Sequence, residues 1–143
     1  MTEFKHLRSF SPDGKENLTS IASGPVIIQD GRVLLDKHGD DGMWKFPGGA
    51  VESDNNFEEN AIREAREELN IDVELVGEPY VISFIKESGE VMVLIHYAAK
   101  IVSGEPRSGR DVDEFDWFDI NILPDGCAPN IKPAVEFFRN KLN

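Results

Sequence analysis

The alternation of apolar and polar positions divides most of the chain into strands. The segment "GPVIIQDGRVLLDKHG" has an apolar run on each side of Asp30-Gly31, which predicts a β-hairpin closed by a two-residue turn. Two stretches rich in β-branched and aromatic residues, "IDVELVGEPYVISFIKE" and "VMVLIHYAAKIV", are joined by a turn at "SGE" and predict further strands. Short strands are also expected at 44–46 and at "EFDWFDI". The polar N-terminal region contains the turn cluster "SPDGKEN".

Two segments instead have the composition and periodicity of helices. The first runs from about Phe57 to Leu69 and is rich in strong helix formers. Asn70 follows it and tolerates the left-handed conformation found at helix C-termini. Several residues before it could serve as its N-cap: Asp54, Asn55 and Asn56. The C-terminal segment "NIKPAVEFFRNKL" predicts a second, amphipathic helix with Pro133 in its first turn. Without repeats or linkers, the chain is predicted to be one mixed α/β domain over residues 1–143.

Charge and cysteine content narrow the class of function. The 143 residues include 27 acidic residues and 15 Lys and Arg, a net charge of −12, which disfavours nucleic-acid polymers and anionic membranes as partners. An anionic substrate would require a divalent cation at an acidic site. Cys127 is the only cysteine, so an internal disulfide is excluded and a reducing cytoplasm is expected. The longest apolar run is too short for a membrane span. The sequence leaves undecided whether the chain forms a homodimer.

Three glutamates lie close together on the first predicted helix. At about 100° per residue, Glu64, Glu67 and Glu68 occupy an arc beside the apolar stripe rather than opposite it. Carboxylates at this spacing are typical of a solvated, salt-bridged helix surface. The upstream "FPGG" favours a different interpretation, because glycine backbone can approach a ligand closely. A loop and a helix that bring several oxygens to one point suit Mg²⁺ or Mn²⁺.

The stretch from Gly49 to Ile71 resembles the signature of the Nudix hydrolases. That signature is G, five residues, E, seven residues, then R-E-U-x-E-E-x-G-U, where U is bulky and apolar. The matching positions are Gly49, Arg63, Glu64, Glu67, Glu68 and Ile71, and "WKFPGG" is the usual lead-in. Asn70 replaces a Gly but keeps the left-handed cap, and Ala65 replaces a larger apolar residue. Asn55 replaces the first Glu, so weakened or retuned metal binding is expected.

The resemblance implies a fold, an activity and roles for residues. The expected fold is an α/β/α sandwich with a mixed β-sheet. The expected activity is Mg²⁺- or Mn²⁺-dependent hydrolysis of a nucleoside diphosphate linked to another group. The expected metal shell consists of the Gly48 carbonyl with Glu64, Glu67 and Glu68. Glu64 or Glu114 would act as general base, with Asp111 and Asp113 as alternatives to Glu114. Arg63 is expected to fix the glutamate face and the loop rather than touch substrate.

Other candidate residues have weaker support. Arg107 and Arg110 could contact phosphates, but arginines in a polar loop are more typical of solvated charge. The same applies to His38, and the three histidines lack metal-ligand spacing. Lys86 stands where relatives that act on ADP-ribose carry a proline, which leaves a nucleoside triphosphate or a nucleotide sugar as substrate. The alternative to an enzyme is a non-hydrolysing nucleotide-binding module, which the loss of a carboxylate at Asn55 suggests.

Overall fold

A computed structural model describes residues 6–10, 16–52 and 54–141 of the chain. Within these residues the chain forms eight strands and two helices. The strands are β1 (His6–Phe10), β2 (Glu16–Gln29), β3 (Arg32–His38), β4 (Gly49–Ala50), β5 (Asp72–Leu75), β6 (Tyr80–Ile85), β7 (Val91–Ser103) and β8 (Val112–Asp119). The helices are α1 (Phe57–Leu69) and α2 (Ile131–Phe138). The predicted hairpin, both helices and the later strands are confirmed, whereas most of the turn cluster "SPDGKEN" lies outside the described residues.

The sheet is mixed and is organised around β2. Strand β2 runs parallel to β7, with Thr19 opposite Val91 and Ile27 opposite Ala99. It is antiparallel to β1, β3 and β4. The strand order is β5-β7-β2-β3-β8, and β6 pairs with β7. The strand expected at 44–46 is wrong: Trp44 and Lys45 form isolated bridges to Cys127 and Asp36 instead.

The two helices cover opposite faces of the sheet. Successive side chains of a strand point to opposite faces, so Val26 and Ile28 join the core beneath α2. Ile27 lies between them in sequence and joins the core beneath α1. In β3, Leu34 belongs to the α1 side. The expected α/β/α sandwich is confirmed, and no helix of the described residues is long and apolar enough to cross a membrane.

Helix α1 begins and ends at asparagines. The side chain of Asn56 accepts a hydrogen bond from the Glu59 amide at 2.8 Å, so Asn56 is the N-cap. Asn70 is the C-cap and has the left-handed φ of 58°, as its substitution for glycine predicts. Because Asn56 caps the helix, the neighbouring Asn55 side chain is available for another contact.

Candidate active site

A cavity of about 560 Å³ opens where α1, the "FPGG" loop and the adjoining ends of β3 and β8 meet. Its walls combine glycine backbone with charged side chains. The lining residues are His38, Gly39, Asp40, Gly48, Gly49, Ala50, Glu64, Glu68, Arg110, Asp111 and Asp113. Three of the four predicted metal-shell residues, Gly48, Glu64 and Glu68, are therefore brought to one cavity.

The glycine loop lies directly against Glu64. A Cβ atom at Gly49 would lie 2.8 Å from Glu64 Oε1, closer than real side chains tolerate, so this approach requires glycine. The Asn60 amide fixes the loop by donating to the Gly49 carbonyl at 3.1 Å and to Ser23 Oγ at 3.0 Å. Asn60 is fully buried and joins α1 to β2 and to the loop. The sequence pattern gave it no role, because a lone asparagine on a helix has no distinguishing signal.

Arg63 links the carboxylates of α1 to the segment before the helix. Its guanidinium donates to Asn55 Oδ1 at 2.9 Å, Glu67 Oε2 at 2.7 Å, Asn60 Oδ1 at 2.6 Å and Glu64 Oε1 at 2.9 Å. Burial lowers the pKa of Arg63, but the Glu67 hydrogen bond and the charges of its acidic neighbours outweigh burial and raise the pKa above its ordinary value. These contacts agree with the predicted fixing role. Asn55 therefore holds Arg63 and does not line the cavity.

Glu67 lies apart from the other two glutamates. Its carboxylate accepts hydrogen bonds from Arg63 and, at 2.9 Å, from Arg110 Nη2. Arg110 belongs to a loop that docks on the C-terminal end of α1, where the Gly109 amide donates to the Glu68 carbonyl at 2.7 Å. Arg110 is 52% exposed, as a solvated charge would be, but it also pairs with α1 and lines the cavity. Glu67 is not among the lining residues.

Glu68 belongs to a cluster that the sequence did not predict. His38 Nδ1 forms a hydrogen bond with Asp36 Oδ1 and lies 3.2 Å from Glu68 Oε2. Asp36 is fully buried, and its Oδ2 has no hydrogen-bond partner among the described residues. Burial raises the pKa of the Glu68 carboxyl well above its ordinary value, and the neighbouring carboxylates of Asp36 and Glu64 raise it further. The carboxylates of Asp36, Glu64 and Glu68 therefore form an acidic cluster that additional positive charge would stabilise.

A β-bulge determines which acidic residue of β8 reaches the cavity. Lys37 pairs with Glu114, but the next residue of β3, His38, pairs with Val112, so Asp113 is the extra residue. Asp113 lines the cavity. Glu114 forms an ion pair with Lys37 at 3.2 Å, and its side chain is 56% exposed. The structure thus brings the alternative residues Asp111 and Asp113, rather than Glu114, to the site.

The solvated charge expected for His38 is wrong, because the side chain is only 20% exposed and faces two carboxylates. Spacing along the chain gave no signal, since Glu68 comes from a different element. A signal did exist at Asp36, which follows an apolar run and is in phase with buried Leu34. An acidic residue on the buried face of a strand requires a partner.

The donor set of the cavity fits a divalent cation. Carboxylates of Glu64, Glu68 and Asp36 lie near one another, and Asp36 Oδ2 is a buried oxygen without a partner among the described residues. The pKa of Glu68 is raised in the absence of a cation, which is the electrostatic state that a bound cation would relieve. The predicted requirement for a metal therefore agrees with the residues present.

Comparison with known proteins gives consistent matches. A family model described as NUDIX domain matches residues 19–138. ADP-ribose pyrophosphatase of Methanocaldococcus jannaschii is 29% identical over 127 residues, covering 85% of this chain and 75% of that protein. CTP pyrophosphohydrolase of Escherichia coli is 37% identical over 75 residues, covering 50% of this chain and 54% of that protein. The crystal structure of MutT NUDIX hydrolase from Burkholderia pseudomallei is 32% identical, with a TM-score of 0.75 over 82% of this chain and 96% of that chain.

Proposed function

This chain belongs to the Nudix hydrolase family, and we propose that it is a divalent-metal-dependent enzyme that cleaves the pyrophosphate linkage of a small nucleotide. The substrate class is a nucleoside diphosphate joined to another group, either a further phosphate or a sugar. The observation that carries the proposal is the cavity in which Glu64, Glu68 and the Gly48 backbone lie beside Arg110. Carboxylates suit a cation there, and the guanidinium suits a phosphate.

We assign Mg²⁺ or Mn²⁺ to Glu64, Glu67, Glu68 and the Gly48 carbonyl. A bound divalent cation neutralises phosphate charge and makes water a stronger nucleophile at neutral pH. In the structure both arginines that hold Glu67 contact its Oε2, so Oε1 is the oxygen through which it would ligate while keeping both pairs. Arg63 acts as a positioning residue, since its guanidinium contacts Glu64 and Glu67 together.

The general base is proposed to be Glu64, with Asp113 as the alternative from β8. Glu64 is buried at the cavity wall beside Gly49, and a base must reach the attacking water within hydrogen-bonding distance. Glu114, the other residue predicted for this role, points its carboxylate at Lys37. It would need to break that pair before it could act.

The relatives suggest which nucleotides to test. One similar protein is an ADP-ribose pyrophosphatase and another is a CTP pyrophosphohydrolase, which represent the nucleotide-sugar and triphosphate classes respectively. We propose a small nucleotide rather than a nucleic-acid polymer, and a cytoplasmic location, on the net charge of −12 and the single Cys127. We also propose that the chain forms a single domain, and we leave open whether it assembles as a homodimer.

The test is a hydrolysis screen of the purified chain with Mg²⁺ or Mn²⁺ over nucleoside triphosphates, nucleotide sugars and ADP-ribose. Release of phosphate, pyrophosphate and nucleoside monophosphate is measured for the wild type, Glu64→Gln and Glu59→Gln. Glu59 is an exposed residue of the same helix and supplies the matched control. Activity that Glu64→Gln abolishes and Glu59→Gln preserves is expected. If calorimetry detects nucleotide binding but no substrate is hydrolysed, the enzyme proposal is wrong and the chain is the non-hydrolysing binding module.

A further inference from the structure

The cluster of Asp36, His38 and Glu68 has the arrangement of a metal site with a nitrogen ligand. One ligand atom from each residue lies within 4.8 Å of the others. His38 Nδ1 and Glu68 Oε2 are 3.2 Å apart. Two ligands held at about 2.0–2.2 Å from one ion are separated by roughly 3.0–3.5 Å when the angle between them is near 90–110°. The His38–Glu68 separation is therefore compatible with two ligands sharing an ion, whereas the hydrogen bond between His38 Nδ1 and Asp36 Oδ1 would have to open to admit one.

The N–H donors around this cluster do not satisfy all of its carboxylate oxygens. His38 Nδ1 faces both Asp36 Oδ1 and Glu68 Oε2, and one N–H directs its proton at one acceptor. Asp36 Oδ2 is buried and has no partner within residues 6–10, 16–52 and 54–141. Burying a carboxylate oxygen without a partner is costly. The Glu68 carboxyl lies within hydrogen-bonding reach of Asp36, so this buried oxygen is satisfied either by a proton shared with Glu68 or by a bound cation.

The chemistry of the donors distinguishes between metals. Mg²⁺ takes oxygen ligands and keeps several waters, whereas imidazole nitrogen is a good ligand for first-row transition metals. A site made of one imidazole and two carboxylates therefore discriminates against Mg²⁺. An all-carboxylate site on α1 would not discriminate in this way.

We propose that β3 and α1 together form a site for a divalent first-row transition metal, in which His38 Nδ1 and the carboxylates of Asp36 and Glu68 are the ligands. This deepens the proposed function, because Glu68 is shared with the metal shell assigned above. It adds Asp36 and His38 as ligands and makes Co²⁺, Zn²⁺ or Mn²⁺, rather than Mg²⁺, the tightly held ion. In the assigned hydrolase, Mg²⁺ would then be the more weakly held ion of the cavity.

The experiment measures binding of the metal alone to the chelator-treated full chain. Calorimetric titration with Co²⁺, Zn²⁺, Mn²⁺ and Mg²⁺ is combined with the visible absorption of Co²⁺, which reports nitrogen ligation. The variants are His38→Gln and Asp36→Asn. We expect each to weaken Co²⁺ and Zn²⁺ at least tenfold, and we expect His38→Gln, which removes only the nitrogen ligand, to change Mg²⁺ affinity less than threefold. His38→Gln should also shift the Co²⁺ spectrum. Asp116→Asn, an exposed carboxylate of β8, is the matched control and should leave all affinities unchanged.

This metal-binding experiment does not depend on catalysis, since no nucleotide is present. Unchanged Co²⁺ and Zn²⁺ affinity in both variants would overturn the proposed site. Equal weakening of Mg²⁺ and Co²⁺ by His38→Gln would also overturn it, because a merely structural role of His38 affects every ion alike. Thermal unfolding of each variant without metal identifies any that fail to fold, and the Co²⁺ spectrum of the wild type then decides: a spectrum without a nitrogen ligand contradicts the proposal. An inactive enzyme with intact Co²⁺ binding would contradict only the proposed hydrolysis.

Discussion

Gly109 allows the 104–111 loop to lie against the C-terminal end of α1, and alanine at this position should displace the loop. A Cβ atom at Gly109 would lie 2.2 Å from the Glu67 carbonyl oxygen and 3.0 Å from that of Glu68. Both atoms belong to the helix backbone, which cannot rotate away as a side chain could. The loop must therefore move outward by about 1 Å or more to restore ordinary van der Waals contact.

The size of the effect follows from the contacts that such a movement breaks. Three backbone hydrogen bonds join the loop to α1: Arg107 to Leu69 at 3.0 Å, Gly109 to Glu68 at 2.7 Å, and Arg110 to Glu67 at 3.0 Å. Each contributes about 0.5–1.5 kcal/mol net, and overpacking typically costs about 1–3 kcal/mol. Because the loop is exposed and can rehydrate, we expect Gly109→Ala to lower the free energy of unfolding by about 2–3 kcal/mol.

Urea denaturation followed by circular dichroism measures this loss directly. Ser108→Ala is the matched control, since Ser108 is the exposed neighbour of Gly109, and its stability should stay within about 0.5 kcal/mol of the wild type. The displaced loop also carries Arg110 and Asp111 away from the cavity, so nucleotide hydrolysis should fall in Gly109→Ala and not in the control. A Gly109→Ala protein as stable as Ser108→Ala would refute the proposed close approach of loop and helix.

Three further perturbations test separate parts of the site and core. Asn55→Glu should leave Mg²⁺ affinity unchanged or tighten it, and should stabilise the fold by up to about 1 kcal/mol through a charged pair with Arg63; clearly weaker Mg²⁺ binding by calorimetry would contradict this. Glu67→Gln should cut kcat roughly 100-fold or more with an unchanged circular dichroism spectrum, and normal turnover would remove Glu67 from the metal shell. Burial lowers the pKa of His96, against a raising effect of the Tyr80 carbonyl, so the folded chain binds fewer protons than the unfolded chain and stability should fall as pH drops below about 6.5. His96→Gln should flatten that slope in urea titrations between pH 7.5 and pH 5, and an unaltered slope would argue against it.

The fold was predictable where local sequence signals agree with tertiary packing. Helix α1 has strong helix formers, an apolar stripe and asparagines at both ends, and its bounds match the prediction. The start of β2 at Glu16 was not predicted. The residues there are polar; the first of them pair with β1, as between Glu16 and Phe10, and pairing with the distant β7 begins at Thr19 opposite Val91. Such long-range pairing leaves no pattern in the local sequence.

The residues of the site were likewise predictable where one local segment carries them, and not where long-range contacts bring them together. Glu64, Glu67 and Glu68 were predictable because one helix carries all three. Their association with other elements was not predictable, since it depends on the register of β3 against β8 and on how the 104–111 loop docks. The bulge that selects Asp113 over Glu114 is a shift of one residue in that register. No spacing rule within a single segment contains that information.

The partners of the three glutamates show where positive charge is still lacking. Like charges at these spacings repel along a helix, and two of the three are relieved by arginine. Glu64 accepts from Arg63, and Glu67 accepts from Arg63 and Arg110. Glu68 instead faces the buried carboxylate of Asp36, with one imidazole between them. The charge that is least neutralised by basic side chains therefore lies on the β3 side of the helix, at the cluster where we propose the nitrogen-ligated metal.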